Sequence, residues 1–296
     1  MKKTNILILG STGFLASYII NEFKSSNTFN LFLFSRSKNK KLDLKSYNSC
    51  FKYLKKNKIN IIINLIADTN IDNNEISIEN SLKNNLLPIS SIFKCIDNIK
   101  EVKAFIHLST DQLYLGNKKY SKEVSEIFPL NNYSKTKYLT EEFIKFSKKT
   151  IILRTNFFGF NKNYNNNIVG WFVSNSFKKN KKVHGFSNIF FTPLHASTLA
   201  KLIKHIIKNL NFGIYNLGSS KRISKFMFLK KISKLSKSLS KIKIINSKYK
   251  SLLIQRPKNM SLNSDLFYKT FKIQPINIYD EILKIKKEIN EYDKDF

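Results

Sequence analysis

The 296-residue sequence predicts an α/β fold: a Rossmann-like, doubly wound parallel sheet with a smaller C-terminal lobe. Three observations predict it. Short apolar runs alternate with stretches of helical spacing through the first half. A glycine turn, GSTGFLA at 10–16, joins the first such run to the first helical stretch. Hydroxyl and phenol side chains then follow later runs, at the sheet edge where folds of this class hold ligands.

In chain order, ILIL at 6–9 is the first strand. MKK before it mimics the start of a secretory leader, but Gly10 ends the apolar core after four residues. A helix is expected over Tyr18–Ser25, a second strand at LFLF (31–34) and a third at IIINLI (61–66). Ser81–Ile96 reads as helix, AFIHLS (104–109) as strand, Tyr133–Lys148 as helix and IILR (151–154) as strand. These runs are apolar without alternation, as strands covered on both faces must be. After about Phe160 the pattern turns irregular, with NKNYNNN at 161–167, a lone Trp171 and a Ser- and Lys-rich helix-like stretch from Ser224 to Lys241. The expected division is therefore a nucleotide-type domain over 1–155 and a second lobe over 156–296, from which a segment such as HASTLAKLIKHIIKN (195–209) returns to the first.

Lys and Arg number 52 against 20 Asp and Glu, a formal charge of +32. Such a charge raises the question of nucleic acid. The lysines are spread from Lys2 to Lys294 and form no single stripe, and short clusters such as 38–41 and 178–182 read as solvated loops, so no nucleic-acid partner is expected. Cys50 and Cys95 provide no disulfide framework and no CxxC pair, which fits a reducing cytoplasm; no metal site is assigned. The longest apolar runs are far short of a membrane span, IIINLIA itself containing Asn64, so no membrane partner is expected either.

Chemistry is suggested by three motifs in a fixed order. A strand, a glycine turn and a helix start leave backbone N–H groups and the positive helix end facing outward, suited to a pyrophosphate. The spacing at Gly10, Gly13 and Ala16 is GxxGxxA. HLSTDQLYLG (107–116) then places Ser109, Thr110 and Asp111 at the end of a strand. In NNYSKTK, Tyr133 and Lys137 stand four residues apart on one helix face, where an ammonium can favour phenolate and let the tyrosine exchange a proton with a substrate oxygen. Each motif has a structural reading as a turn, a cap or a solvated pair. SRSK (35–38) after the second strand carries no acidic residue for a free ribose 2′-hydroxyl, and Arg36 and Lys38 suit a 2′-phosphate.

On GSTGFLA, INLIADTNID (63–72), LSTDQLYLG, PLNNYSKTK, LRTNFFG (153–159), GIYNLG (213–218) and RPKNMSLNSDLF (256–267), the chain resembles the extended short-chain dehydrogenase/reductase superfamily, and within it the dTDP-4-dehydrorhamnose reductase group of nucleotide-sugar reductases. That resemblance covers most of the chain. It implies an NADP(H)-dependent oxidoreductase that reduces a 4-keto nucleotide-diphospho sugar in surface-polysaccharide sugar biosynthesis, with NADPH preferred, NADH admitted, the second lobe binding substrate and a homodimer admitted. By matched position, Gly10, Thr12, Gly13, Phe14 and Leu15 would cradle the cofactor pyrophosphate, Arg36 would meet its 2′-phosphate, and Ala67 and Thr69 would line its ribose side. Asn84 matches the family's helix asparagine. Thr110 would be the catalytic hydroxyl, Tyr133 the acid and Lys137 the ribose-binding lysine. Arg154, Thr155 and Asn156 would lie beside nicotinamide and sugar. Asp111, Asn156 and Arg256 are the substrate contacts.

The sequence also departs from the pattern. Ala16 replaces the last glycine, and Asp68 stands where rhamnose-pathway enzymes often carry histidine or tyrosine, which leaves the sugar open. Gln112 stands where the 4,6-dehydratases carry the glutamate of an Asp-Glu pair, against elimination chemistry. A nucleotide-sugar epimerase on the same fold and a non-catalytic NADP-binding regulatory subunit remain as alternatives.

Overall fold

The computed structural model describes residues 3–36, 42–161, 167–175, 182–249 and 254–293. Lys38, the basic clusters at 38–41 and 178–182 apart from Lys182, and most of the Asn-rich run 161–167 lie outside the described residues.

A six-stranded sheet is built from β1 (Thr4–Leu9), β2 (Phe29–Phe34), β3 (Ile61–Asn64), β4 (Ala104–Thr110), β5 (Thr150–Thr155) and the strand Gly213–Leu217. Their order across the sheet is Gly213–Leu217, β5, β4, β3, β1, β2. β1 runs parallel to both β2 and β3, and β3 parallel to β4. Because the chain goes from β1 to one side and later returns to the other, the carboxyl ends of β1 and β3 face a crevice, the switch point at which doubly wound sheets bind ligands. Ile6–Leu9, Ile62, Ile63 and Ile106 are wholly buried. Burying such a side chain contributes about 1.5–3 kcal/mol, so the apolar runs fix the sheet.

The helices that position the site are α1 (Phe14–Lys24), α2 (Tyr47–Lys56), α3 (Ile71–Ile76), α4 (Ile78–Asn85), α5 (Leu87–Ile96) and α6 (Asn132–Ile144). Several boundaries differ from expectation, each for a local reason. β3 stops at Asn64 and not at 66, where the Asn64 side chain takes the Ile66 N–H at 3.1 Å and draws the chain out of the ladder. The single helix expected over 81–96 is two. Pro88 has no N–H to continue the ladder of α4, so the chain breaks at Leu86. α2 was not expected. Cys50 and Leu54 are its buried residues, too few for a legible stripe, and the Ser46 cap on Ser49 N–H holds its start.

The chain divides into two compact units. The first comprises 1–113, 129–154 and 200–215; the second comprises 114–128, 155–199 and 216–296. Compared with a single cut at 155, residues 114–128 group with the second unit and 200–215 with the first. The first exchange follows from hydrogen bonds inside the second unit: Tyr114 donates its hydroxyl to Asn216 at 2.8 Å, and Asn216 Nδ2 donates to Ser121 O at 2.7 Å.

In the second unit, helix Ile278–Asp293 presents Ile282, Ile285 and Ile289 to a core with Phe158, Phe172 and Phe228. The RPKNMSL run acts here as a brace. Asn259 Nδ2 donates to Lys118 O at 2.6 Å, Leu262 bridges Ser121, and Pro257 sits against Gly116. Among the described residues, no helix is long and apolar enough to cross a membrane.

Candidate active site

The turn after β1 is set by Gly10, whose φ of +81° is a left-handed conformation that side chains resist. A Cβ there would meet Leu65 C at 3.0 Å, and one at Gly13 would meet Gly10 O at 3.2 Å. The N–H groups of Gly10 and Ser11 both donate to Phe34 O, at 3.0 and 2.9 Å, tying the turn to the end of β2. α2, α3, α4 and α6 each start on a side-chain cap, from Ser46, Asn70, Ser77 and Asn131, whereas α1 starts on Gly13 with none. The first amides and the positive end of a helix attract an anion. Beside it lies a cavity of about 290 Å³, lined by Gly10, Thr12, Gly13, Ser35, Arg36 and Ala67 among others.

The expected cofactor residues fall around this cavity unevenly. Thr12 and Thr69 are exposed and Phe14 is half-buried. Leu15 differs from its neighbours in the turn. Its side chain is 5% exposed and belongs to the core, so it offers a cofactor only its backbone amide. Arg36 is exposed, and its Nη1 donates to Asn84 Oδ1 at 3.1 Å. The structure therefore places Asn84 beside Arg36.

The next residue, Asn85, was not singled out from the sequence and is wholly buried. It accepts from Asp68 N–H at 2.7 Å and donates to Asn74 Oδ1 at 2.9 Å and Thr136 Oγ1 at 3.0 Å. Ser81 joins the same network, bonding Asn74 Oδ1 and Thr136 Oγ1. Buried amides bonded on all sides are rigid because any rearrangement leaves a polar group unpaired. The network thus locks the loop after β3 to α6, the helix that carries the tyrosine and the lysine.

α6 opens with a capping box in which Asn131 Oδ1 accepts from Ser134 N–H at 2.9 Å, and its 13 residues place Tyr133 and Lys137 one turn apart. Thr110, the last residue of β4, accepts from Gln112 N–H at 3.3 Å and lies 3.4 Å from Asp111 Oδ1. Tyr133 is 8% exposed, with Thr110 beside its phenol. Burial pushes the phenol up to about 12, the neighbouring Thr110 hydroxyl pulls it down, and Asp111 and Asp68 push it up again. This corrects the expectation that Lys137 brings the tyrosine toward phenolate: desolvation dominates, and the phenol keeps its proton.

Lys137 is 1% exposed, and burial lowers its ammonium to about 8, against the raising effect of Glu141 one turn on. Its Nζ lies 2.6 Å from Leu108 O and 3.1 Å from His107 Nε2. His107, wholly buried on β4, is driven well below its ordinary range by burial and by Lys137, and is neutral. Neither His107 nor Asn64 was singled out as a site residue. The signal for Asn64 was present, a polar residue interrupting an apolar run.

Two further expected site residues are held by protein partners. Arg154 does not lie open at the end of β5. Its guanidinium is 2% exposed and clamps Glu141 of α6, Nη2 to Oε2 being 2.7 Å, because a buried carboxylate needs a fixed cation. Asp111 is 1% exposed, with its carboxylate directed at the Thr110 hydroxyl. Asn156 and Arg256, both half-buried, belong to the second unit.

Chemically, Thr110 and Tyr133 form a pair of hydroxyls able to hold one oxygen and give it a proton. Thr110→Val keeps the shape of the side chain and removes one of those bonds. It is expected to lower turnover about 10-fold with an unchanged melting temperature, losing roughly 1–2 kcal/mol of transition-state binding. Steady-state kinetics and calorimetry of the two proteins check it.

Comparison with known proteins agrees with this geometry. A dTDP-D-glucose 4,6-dehydratase of Dictyostelium discoideum is 29% identical over 273 residues; the match takes in 78% of this chain and 62% of that protein, under two thirds of its length. A dTDP-4-dehydrorhamnose reductase of Aggregatibacter actinomycetemcomitans is 27% identical over 251 residues, covering 79% of this chain and 83% of that one. The crystal structure of dTDP-4-dehydrorhamnose reductase from Bacillus anthracis in complex with NADP superposes with a TM-score of 0.82 at 21% identity, over 95% of this chain and 98% of that one, which shows the same fold. The model of the RmlD substrate binding domain matches residues 4–290, and the chain belongs to that family, within the extended short-chain dehydrogenase/reductases.

Proposed function

We propose that the protein is an NADPH-dependent reductase of a 4-keto nucleotide-diphospho sugar, working in a reducing cytoplasm and supplying a sugar for surface polysaccharide. The observation that carries the reading is the meeting of Thr110, Tyr133 and Lys137 in the same unit as the glycine-lined cavity. The named activity of the Aggregatibacter relative and the NADP in the Bacillus structure support it, and the free, buried Cys50 and Cys95 suit that compartment.

The residues present fit the cofactor. A Cβ at Gly10 or Gly13 would crowd the turn, and Ser35 carries a buried hydroxyl without a hydrogen-bond partner among the described residues, at a cavity that Arg36 also lines. Gly10, Thr12, Gly13 and the first amides of α1 would hold the pyrophosphate, Ser35 and Arg36 the 2′-phosphate, and Ala67 and Lys137 the ribose sides. Bound NADPH supplies the hydride for the keto carbon. Thr110 holds the ketone oxygen and Tyr133 gives it a proton, which a phenol kept neutral by burial can do at neutral pH. The Lys137 ammonium restores charge balance as the tyrosine loses its proton. Asn156 and Arg256 are kept as substrate contacts.

The Dictyostelium relative raises a dehydratase reading. Gln112 weighs against it, since a carboxamide can neither take nor give the proton that the second carboxyl group of the pair handles in the elimination. Stopped-flow oxidation of NADPH with a panel of 4-keto nucleotide sugars tests the proposal. Turnover without net change in NADPH would favour the epimerase reading, and a protein that binds NADPH but is inert across the panel would favour the regulatory one.

Cofactor choice gives a separate expected result. NADPH should bind more tightly than NADH, and Arg36→Asp should remove at least ~10-fold of that preference by placing a carboxylate where a 2′-phosphate would lie. Fluorescence titration of both cofactors reads it, and equal affinities in wild type and variant would refute the assignment.

A further inference from the structure

Lys137 ends a chain of hydrogen bonds whose directions can be worked out one by one. Asn64 Oδ1 accepts from Ile66 N–H at 3.1 Å, and because a backbone N–H only donates, this fixes which end of the amide is oxygen. Asn64 Nδ2 is then the atom 2.8 Å from His107 Nδ1, and it donates. His107 Nδ1 must be bare, and a neutral imidazole carries its one proton on the other nitrogen. That nitrogen, Nε2, lies 3.1 Å from Lys137 Nζ, while Nζ donates to Leu108 O.

We propose that Asn64 and His107 form a buried donor relay that stabilises the amine of Lys137 against its ammonium in the cofactor-free protein, which makes His107 a positioning residue for the tyrosine–lysine pair. With an amine at Lys137, every bond in the relay is satisfied: Ile66 to Asn64, Asn64 to His107, His107 to the Nζ lone pair, and Nζ to Leu108 O. With an ammonium, one junction must set donor against donor. If the His107 proton stays on Nε2, it faces the ammonium. If it moves to Nδ1, it faces Asn64 Nδ2, and turning that amide over only moves the conflict to Ile66 N–H. All five groups are buried or nearly so, and a buried polar mismatch has no water to relieve it.

The charged groups around Lys137 do not undo this. Glu141 on α6 favours the ammonium, but its carboxylate is already clamped by Arg154 of β5. Tyr133, one turn back, is neutral, and Asp111 and Asp68 act on it. The relay rests on the functional reading only in giving Lys137 a task. Cofactor hydroxyls arriving at Nζ would offer acceptors that the ammonium satisfies better than the amine, so NADPH binding would draw a proton onto Lys137.

The experiment is nuclear magnetic resonance of cofactor-free protein with nitrogen-labelled histidine and ε-carbon-labelled lysine. The chain has four histidines, and the His107 signals are assigned by their loss in His107→Leu. The expected result at about pH 9 is a bare Nδ1 and a protonated Nε2. The Lys137 titration, assigned by its absence in Lys137→Met, should move up by roughly one pH unit in His107→Leu, which removes the donor. It should stay within about half a unit of wild type in His107→Gln, whose amide can accept from Asn64 and donate to Nζ. A protonated Nδ1 in wild type, or a Lys137 midpoint unmoved in His107→Leu, would overturn the relay. Should the leucine variant not fold, the wild-type nitrogen signals and the glutamine variant still decide. The titration is read without cofactor or substrate, so its outcome is independent of turnover.

Discussion

Tyr133→Phe is expected to lower turnover of a 4-keto nucleotide sugar by at least ~100-fold while NADPH affinity stays within about 2-fold. The ring is 8% exposed and packed at the head of α6, and phenylalanine keeps that packing. What disappears is one hydroxyl, and with it the proton that the reduced oxygen must receive. Burial pushes the phenol up to about 12, so wild type holds that proton throughout the neutral range and its loss in the variant cannot be mended by changing pH. Single-turnover oxidation of bound NADPH measures the step directly. Undiminished hydride transfer in Tyr133→Phe would remove Tyr133 from the mechanism and leave Thr110 or solvent as the donor.

Lys137→Met should weaken turnover and cofactor binding together, by at least ~100-fold and ~10-fold, because it deletes both a charge and a donor at one buried point. Its effect on stability carries a definite sign. Burial lowers the folded-state value of Lys137 to about 8 from 10.5, so between those pH values the unfolded chain holds more protons than the folded one. Wild-type stability therefore rises with pH across that window, by up to about 3 kcal/mol, and below about pH 8 the full cost of the buried charge is present. Methionine carries no such cost. The melting temperature of the variant relative to wild type should be highest near pH 7 and fall as pH approaches 10. A difference that is flat with pH would mean that the buried amine keeps its ordinary protonation on folding. The kcat/KM for NADPH, which reports the cofactor-free protein, should likewise fall as pH rises through about 8, where the ammonium is lost.

The strands were legible because each is a run of buried aliphatic residues, and such runs have few alternatives in a chain this long. β1 and β4 end within one residue of the apolar runs that announce them. The helices were less legible where packing alone decides them. α2 buries little more than Cys50 and Leu54, and the break between α4 and α5 depends on Pro88, one residue inside an otherwise continuous helical pattern. The glycine turn, Thr110 and the Tyr133–Lys137 pair could be read as chemistry since each needs a particular residue type at a particular place along its own element.

By itself, then, the sequence determined the sheet, the glycine turn and where the hydroxyl, phenol and amine of the proposed site stand on their elements, all of which follow from local spacing and side-chain type. Only the tertiary structure decided what surrounds them. Asn64 and Ile66, His107 and Lys137 come from three elements spread over 73 positions, and Asn85 meets Thr136 across 51. Arg154 could have faced a substrate as well as its buried Glu141 on the sequence alone. The difference is physical: a polar side chain in a sequence window carries no mark of being buried, and it is burial, by removing water, that turns its neighbours into obligatory partners and sets its charge.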